Sequence, residues 1–197
     1  MEIYLLRHGM SVANEQHLVC GASDYPISAT GLAQAERVCA YLSRIPFTRI
    51  YTSPLSRATK TIEKLVGAVD VQIEPELAEL DTGDVSHLRL DALWAQDERY
   101  RQPWLHPDLL YPGGECMNDM LGRIGGWYER TAQGWTDSDV ILIVGHEGTL
   151  RVILHKLLKQ DTAEYPTFPI GNCDHLHLVT GPEGLIRHEH VRLSTLS

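Results

Sequence analysis

The segment Ile3-Tyr4-Leu5-Leu6-Arg7-His8-Gly9 places an arginine, a histidine and a glycine directly after four apolar residues. No polar residue alternates with the apolar ones, and this pattern predicts a strand buried on both faces of a sheet. Ligands of open α/β sheets lie outside the carboxyl ends of the strands, so Arg7 and His8 are candidate site residues. Taken alone, the segment is explained equally well by ordinary loop residues after a strand.

A second segment, residues 140–148, has the sequence Val-Ile-Leu-Ile-Val-Gly-His-Glu-Gly and repeats the pattern. The apolar residues after it have helical spacing, which places His146 at a strand-to-helix junction. Main-chain N–H groups at the start of a helix favour an anion. We therefore expect His8 and His146 to share one crevice.

Arg7-His8-Gly9, followed late in the chain by Gly145-His146-Glu147-Gly148, resembles the histidine phosphatase superfamily, which includes phosphoglycerate mutases and many small phosphatases. Ser11 and Asn14 match the family pattern R-H-G-E-[ST]-x-x-N, whereas Met10 stands where the family usually has glutamate. The resemblance extends over nearly the whole chain, and its motifs occur in the family's order.

Three further segments carry the resemblance. Residues 53–61 match the family motif S-P-L-x-R-A-x-x-T, with Arg57 as its arginine, and residues 112–115 match P-G-G-E. Leu77 and Glu79 match an L-x-E motif. Proline is tolerated in the first turn of a helix, so we expect Ser53-Pro54 to start one and Arg57 to lie near the sheet edge. In isolation, Arg57 would be taken for a solvated surface residue.

The resemblance implies a role for each matched residue. His8 would attack phosphorus and form a phosphohistidine. Arg7, Arg57, the Ser11 hydroxyl and the Asn14 amide would bind phosphate oxygens. A protonated His146 would neutralise charge on the transferring group. Glu79 is our choice of proton donor, and the nearby carboxylates Glu76 and Asp81 are its competitors.

Composition limits the other functions. A chain of 197 residues suits one domain, residues 1–197, with a substantial core. A net charge of −9 argues against non-specific nucleic-acid binding, and no apolar segment approaches the length of a membrane span. We expect no leader or anchor, a cytoplasmic protein, and four reduced cysteines, because their spacing fits neither a zinc site nor a disulfide framework.

Repeated strand and helix patterns predict a three-layer α/β/α domain with a mostly parallel central sheet, in which one or two late strands run antiparallel. Residues 85–113 form an excursion rich in aromatic residues and suit either a substrate lid or a small satellite core. His175 and His177 alternate with leucines, which predicts that they lie on the solvent side of a strand.

These observations predict metal-independent hydrolysis of a small phosphate monoester, with no cofactor and no metal ligands. Two alternatives stay open: a cofactor-dependent phosphoglycerate mutase, which would use the same pocket, and a non-catalytic module that binds a phosphorylated ligand. The expected partner is a small phosphorylated substrate, with no nucleic acid and no membrane. The sequence leaves the oligomeric state open, a homodimer included.

Overall fold

A six-stranded sheet organises the computed structural model, which describes residues 1–65, 69–159, 169–181 and 184–196. The spatial order of the strands is β3-β2-β4-β1-β5-β6. The first four in this order are mutually parallel, β5 runs antiparallel to β1, and β6 pairs antiparallel with β5, so one late strand runs against the rest, within the one or two predicted from the sequence. The strands are β1 Glu2–Arg7, β2 Arg49–Thr52, β3 Val71–Ile73, β4 Val140–Gly145, β5 His175–Gly181 and β6 Gly184–Val191.

Helices cover both faces of this sheet and form the predicted three layers. On β1, Ile3 and Leu5 face a core shared with α4, α5 and α6, as defined below, whereas Tyr4 and Leu6 face a second core shared with α2 and α3. None of the helices in the described residues is long and apolar enough to cross a membrane. The helices are α1 Val12–Glu15, α2 Ala29–Leu42, α3 Ser56–Thr61, α4 Leu90–Gln96, α5 Met117–Ala132 and α6 Glu147–Leu158.

The central strands β1 and β4 are parallel neighbours, with Arg7 opposite Gly145 in the register. Ile3, Leu5 and Leu6 have no exposed surface, so the predicted burial of β1 on both faces is confirmed. Because the two strands point the same way, the residues that follow them meet at one edge of the sheet.

The excursion at residues 85–113 contains α4 and short 3₁₀ turns at Gly83–Val85, Glu98–Arg101 and Pro103–Leu105. Leu93 and Tyr111 are buried in the same core as α5 and α6, and Trp104 packs against that core. The buried apolar side chains of the excursion therefore extend the main core and do not form a separate satellite core. A lid role for this segment remains a prediction.

The histidines of β5 differ from the sequence prediction. His175 has no exposed surface and lies between the rings of Tyr4 and Tyr41, with centroid distances of 5.9 and 5.3 Å. His177 is half-buried, stacks on Tyr4 and pairs with Glu2. The prediction that His175 lies on the solvent side of the strand is wrong, because Tyr41 of α2 and Tyr4 of the neighbouring strand β1 cover this face.

The helix expected to start at Ser53-Pro54 begins later, at Ser56. The main-chain N–H of Ser53 donates to Val144 O at 2.9 Å, so strand pairing with β4 continues through this residue. The start of α3 is capped from outside the helix, because the Asp24 carboxylate accepts hydrogen bonds from the N–H and hydroxyl of Ser56. Sequence around Ser53 alone could not show that distant cap.

All four cysteines lie in the described residues and are free thiols, which agrees with the prediction from their spacing. Cys39 and Cys173 are buried, whereas Cys20 and Cys116 are half-buried. Across the described ranges, no group of three or more His, Cys, Asp or Glu residues is arranged to hold a metal ion.

Candidate active site

His8 and His146 lie side by side at the carboxyl ends of β1 and β4. Their ring centroids are 5.0 Å apart, with an interplanar angle of 57°. Both side chains are buried, with exposed fractions of 4% and 1%. The main-chain N–H of His8 donates to Gly145 O at 3.0 Å, so pairing between the two strands continues to His8 itself. The fold thus brings together the two histidines that the sequence places in one crevice.

The tautomer of His8 follows from one hydrogen bond. Its Nδ1 lies 2.7 Å from Gly9 O, and a carbonyl oxygen can only accept, so Nδ1 carries the ring proton. In the neutral ring the lone pair is then on Nε2. A neutral imidazole held in this way presents Nε2 as a nucleophile.

His146 is oriented by a serine that precedes α3. Its Nε2 lies 2.7 Å from Ser53 Oγ, and the same hydroxyl accepts a hydrogen bond from the N–H of Leu55. The hydroxyl proton can then point to Nε2, which leaves the ring proton of His146 on Nδ1. Nδ1 is buried and has no hydrogen-bond partner among the described residues, so in this tautomer it would be a donor available to an anion.

Burial is the largest cause that lowers the pKa of both His8 and His146 below the ordinary histidine value, and the positive charge of Arg57 adds to it. Both rings are therefore neutral near pH 7 in the free protein. Neutrality makes His8 available as a nucleophile. For His146 it differs from the protonated ring expected from the sequence, and a bound phosphate would be needed to raise its pKa.

Arg57 is buried in the first turn of α3, with 1% of its surface exposed, so it is not a solvated surface arginine. Its two terminal nitrogens donate to Ser23 O at 2.8 Å and Gly21 O at 2.7 Å. These bonds use two of its five N–H groups. Nε is among those left over, and it is buried without a hydrogen-bond partner in the described part of the chain.

Arg7 is held through a single terminal nitrogen. Its Nη1 donates to Glu147 Oε2 at 2.8 Å and to Ile170 O at 2.5 Å. Nε of Arg7, like that of Arg57, is buried and lacks a partner within the described ranges. The site therefore contains two guanidinium groups that are fixed by protein acceptors and that each keep a buried donor.

Of the three candidate carboxylates, that of Glu79 contacts the first turn of α6, two residues after His146. Its Oε2 accepts from the N–H of Gly148 at 3.0 Å, and a Cβ added to that glycine would clash with Oε1. Glu76 instead pairs with Arg130 at 2.8 Å, and Asp81 accepts from the N–H of Gly83. The geometry separates the three carboxylates, which the sequence leaves as competitors.

The main chain on both sides of Glu79 is held by α5. Arg123 donates from Nη1 to the carbonyl oxygens of Glu76 and Ala78, at 2.5 and 3.0 Å. Its Nη2 pairs with Glu115 Oε1 at 2.5 Å, and the same carboxylate oxygen accepts from the N–H of Asp81. This ion pair is half-buried and fixes the segment that carries the candidate proton donor.

Asn14 and Ser11 cap α1 reciprocally. The Ser11 hydroxyl accepts from the N–H of Asn14, and Asn14 Oδ1 accepts from the N–H of Ser11, each at 3.1 Å. The side-chain N–H₂ of Asn172 lies 3.4 Å from Asn14 Oδ1 and donates to His8 O at 3.0 Å. The oxygen of Asn14 is thus used in capping, and its amide N–H₂ is the group left to meet a phosphate oxygen. The Ser11 hydroxyl, expected at the phosphate, serves the cap.

Ser53, Glu147 and Asn172 contact site residues, yet sequence reasoning assigned none of them a role. Glu147 was adjacent to a chosen histidine, and its position in the Gly-His-Glu-Gly segment was the available signal. The sequence indicates for Ser53 only the start of a helix after β2. Asn172 had no signal in the sequence, since its contact with His8 O depends on a separation of 164 residues.

A model of the histidine phosphatase superfamily (branch 1) matches residues 3–190 of the chain. The protein belongs to this superfamily. Membership does not define the reaction, because similar proteins include one named as a probable phosphoglycerate mutase and one named as a phosphatase.

The chain is 33% identical over 130 residues to a protein of Cronobacter sakazakii named a probable phosphoglycerate mutase, GpmB. That match covers 64% of this chain and 60% of the relative, so the alignment spans less than two thirds of the relative's length. Among solved structures, the α-ribazole phosphatase of Shigella flexneri has a TM-score of 0.80 at 24% identity, covering 98% of this chain and 95% of the other. A mycobacterial glucosyl-3-phosphoglycerate phosphatase has a TM-score of 0.77 at 25% identity, covering 96% of each chain.

Proposed function

We propose that the protein hydrolyses a small phosphate monoester without a metal ion, through a phosphohistidine on His8. The observation that carries the proposal is the set of groups around the His8 ring. Nε2 of His8 holds a lone pair, while Nε of Arg7, Nε of Arg57 and Nδ1 of His146 are buried nitrogens without partners among the described residues. Such nitrogens are costly to bury unless an anion accepts from them.

In the first step, His8 Nε2 attacks phosphorus and the bond from phosphorus to the leaving oxygen breaks. Arg7 and Arg57 compensate the charge of the phosphoryl group, a task that metal ions perform in many other phosphoryl-transfer enzymes. Glu79 gives its proton to the leaving oxygen, so the alcohol departs neutral. His146 donates from Nδ1 to a phosphoryl oxygen.

In the second step, a water molecule attacks the phosphohistidine. The carboxylate of Glu79, now deprotonated, accepts a proton from this water as the new bond to phosphorus forms. The bond between phosphorus and Nε2 breaks, inorganic phosphate leaves, and His8 returns to its neutral form. Glu79 regains the proton that it gave up in the first step, so the cycle balances.

The named activities of similar proteins support hydrolysis but do not agree on one reaction. Two structural neighbours are named as phosphatases, an α-ribazole phosphatase and a glucosyl-3-phosphoglycerate phosphatase. The sequence relatives are named as phosphoglycerate mutases, which favours isomerisation of a phosphoglycerate as a second candidate. Both reactions would use a phosphohistidine.

Turnover of p-nitrophenyl phosphate in the presence of EDTA tests hydrolysis and its independence from a metal. We expect wild-type protein to release p-nitrophenol under these conditions and His8→Ala to release none above background. A phosphate-binding protein with no turnover would identify a binding module. Interconversion of 2- and 3-phosphoglycerate that is faster than release of inorganic phosphate would identify a mutase instead.

A further inference from the structure

Glu147, the residue after His146, binds two arginines with one carboxylate. Its Oε2 lies 2.8 Å from Arg7 Nη1, and its Oε1 lies 2.5 Å from Arg151 Nη2, one turn further along α6. The three side chains are mostly buried, with exposed fractions of 29%, 17% and 11% for Glu147, Arg7 and Arg151. Glu147 therefore fixes an arginine of the proposed phosphate site to α6, the helix that follows His146.

This contact sets which nitrogens of Arg7 can reach a phosphate. Nη1 donates to both Glu147 and Ile170 O, so both of its N–H groups are used. Nε and Nη2 are left for an anion. A planar guanidinium bound on one side by a carboxylate has little freedom to rotate, so Glu147 orients the remaining donors.

The same carboxylate opposes an anion electrostatically. Glu147 carries a negative charge and binds Arg7, whose proposed ligand, a phosphate group, is also negative. The carboxylate and the phosphate would therefore repel each other. An acidic side chain at this position would therefore lower the affinity for phosphate. Its negative charge is consistent with positioning, which benefits the transition state at a cost in affinity for the ground state.

The network reaches the aromatic excursion through Arg151. The guanidinium carbon of Arg151 lies 5.8 Å from the ring centroid of Trp104, a cation–π geometry. Trp104 belongs to the 3₁₀ turn Pro103–Leu105 of the segment for which a lid role is predicted. A continuous set of contacts therefore runs from Trp104 through Arg151 and Glu147 to Arg7.

We propose that Glu147 is a positioning residue that orients Arg7 for phosphoryl transfer and couples it, through Arg151, to Trp104. The proposal rests on the proposed function for the reaction that Arg7 serves. It assigns Glu147 no proton transfer and no contact with the reacting atoms.

Glu147→Gln tests the proposal, because it keeps the size of the side chain and removes its charge. We expect kcat for p-nitrophenyl phosphate to fall about tenfold, the size of one charge-assisted hydrogen bond, while inorganic phosphate binds more tightly in calorimetry. Glu147→Asp keeps the charge and shortens the reach, so it should lower kcat without tightening phosphate binding. Glu129→Gln is the control, since Glu129 pairs with Lys156 on α6 away from the site.

Each other outcome overturns the positioning role. Unchanged kcat in Glu147→Gln would make Glu147 a spectator, and a parallel loss of kcat, phosphate affinity and thermal stability would make it merely structural. Calorimetry does not require turnover, so wild-type protein that binds phosphate but hydrolyses nothing would refute the proposed function while the phosphate affinity of Glu147→Gln still decides the role of Glu147. Wild-type protein that binds no phosphate would refute both.

The coupling to Trp104 is tested by a double-mutant cycle. Trp104→Ala should change kcat in the wild-type background and have a smaller effect in Glu147→Gln, because the second substitution already breaks the connection to Arg7. Equal effects in the two backgrounds would show that Trp104 and Arg7 are independent and would overturn this part of the proposal.

Discussion

His8 and His175 are buried histidines on neighbouring strands of one sheet, but their surroundings differ. The ring of His8 faces His146, and two arginines lower its pKa in addition to burial. The ring of His175 lies between Tyr4 and Tyr41, and neither of its nitrogens has a hydrogen-bond partner in the described part of the chain. Both rings are kept neutral by burial, so a buried neutral histidine does not by itself define a catalytic site. The neighbouring arginines and the second histidine do.

Substituting each histidine in turn should give the largest difference in kcat between the two surroundings. His8→Ala removes the proposed nucleophile and should lower kcat roughly a thousandfold or more, as loss of a nucleophile does in other enzymes. His175→Leu replaces the ring by a buried apolar side chain outside the proposed site, so this variant should retain wild-type turnover. Steady-state assays with p-nitrophenyl phosphate measure both, and comparable losses in the two variants would contradict the distinction.

A carboxylate held against the first turn of the helix that follows His146 is a second difference between the two surroundings. Glu79→Gln removes the proposed acid and should slow phosphorylation of His8 by an alkyl phosphate by ~10²–10⁴-fold. p-Nitrophenyl phosphate should be affected far less, since its leaving group departs without a proton. Single-turnover measurements are needed, because Glu79 also acts in the second step.

Glu76→Gln and Asp81→Asn are the matched controls for that experiment. Both carboxylates have partners away from the histidines, so neither variant should show a dependence on the leaving group. If Glu79→Gln slows the two substrates equally in the first step, Glu79 holds the site together and is not the proton donor.

The surroundings of His175 should appear in the pH dependence of stability. Burial lowers the pKa of His175 to about 4, below the value of about 6.5 for an unfolded chain. Between these values the unfolded state binds more protons, so the free energy of unfolding falls as the pH falls. Protonation linked to this residue lowers the free energy of unfolding by up to about 3 kcal/mol, an effect that is absent above about pH 6.5 and complete by about pH 4.

Denaturant unfolding at pH 7 and pH 4.5 measures this effect. His8 and His146 change stability in the same direction, so the relevant quantity is the difference between wild type and His175→Leu. His188, which is exposed on β6, provides the control variant His188→Ala. An identical pH dependence in wild type and His175→Leu would show that His175 is protonated as easily in the folded as in the unfolded state.

The smallest expected effect concerns the cation that distinguishes the site of His8. Arg57→Ala should weaken inhibition by inorganic phosphate or vanadate by at least ~1 kcal/mol, the lower range for a hydrogen bond to a charged group. Arg57 also holds the loop at Gly21 and Ser23, so thermal denaturation should accompany the assay. Arg57→Lys keeps the charge and should recover part of the inhibition. Unchanged inhibition in Arg57→Ala would remove Arg57 from the phosphate site.

Much of the fold could be predicted because its signals are local. The unbroken apolar runs of β1 and β4 require burial on both faces, and glycine and histidine after them mark the strand ends. Among three nearby carboxylates, the L-x-E resemblance favours Glu79 as the proton donor. The structure places that carboxylate against the N–H of Gly148, while its role in catalysis is still a prediction.

The remaining features depend on contacts distant in sequence. Alternation with leucines predicts an exposed face for His175, but the sequence of β5 does not show that α2 covers that face. The delayed start of α3 at Ser56 depends on Asp24, which lies 32 residues away. Glu147 and Arg7 are 140 residues apart, so their ion pair has no local signature either.

Trapping the covalent intermediate tests the central claim most directly. Wild-type protein would be mixed with a ³²P-labelled monoester, quenched without acid within the first turnover, digested and mapped, since phosphohistidine is labile in acid. The account predicts label on the peptide that contains His8 and no label in His8→Ala. Label on His146, or complete turnover with no labelled protein at any time, would contradict it.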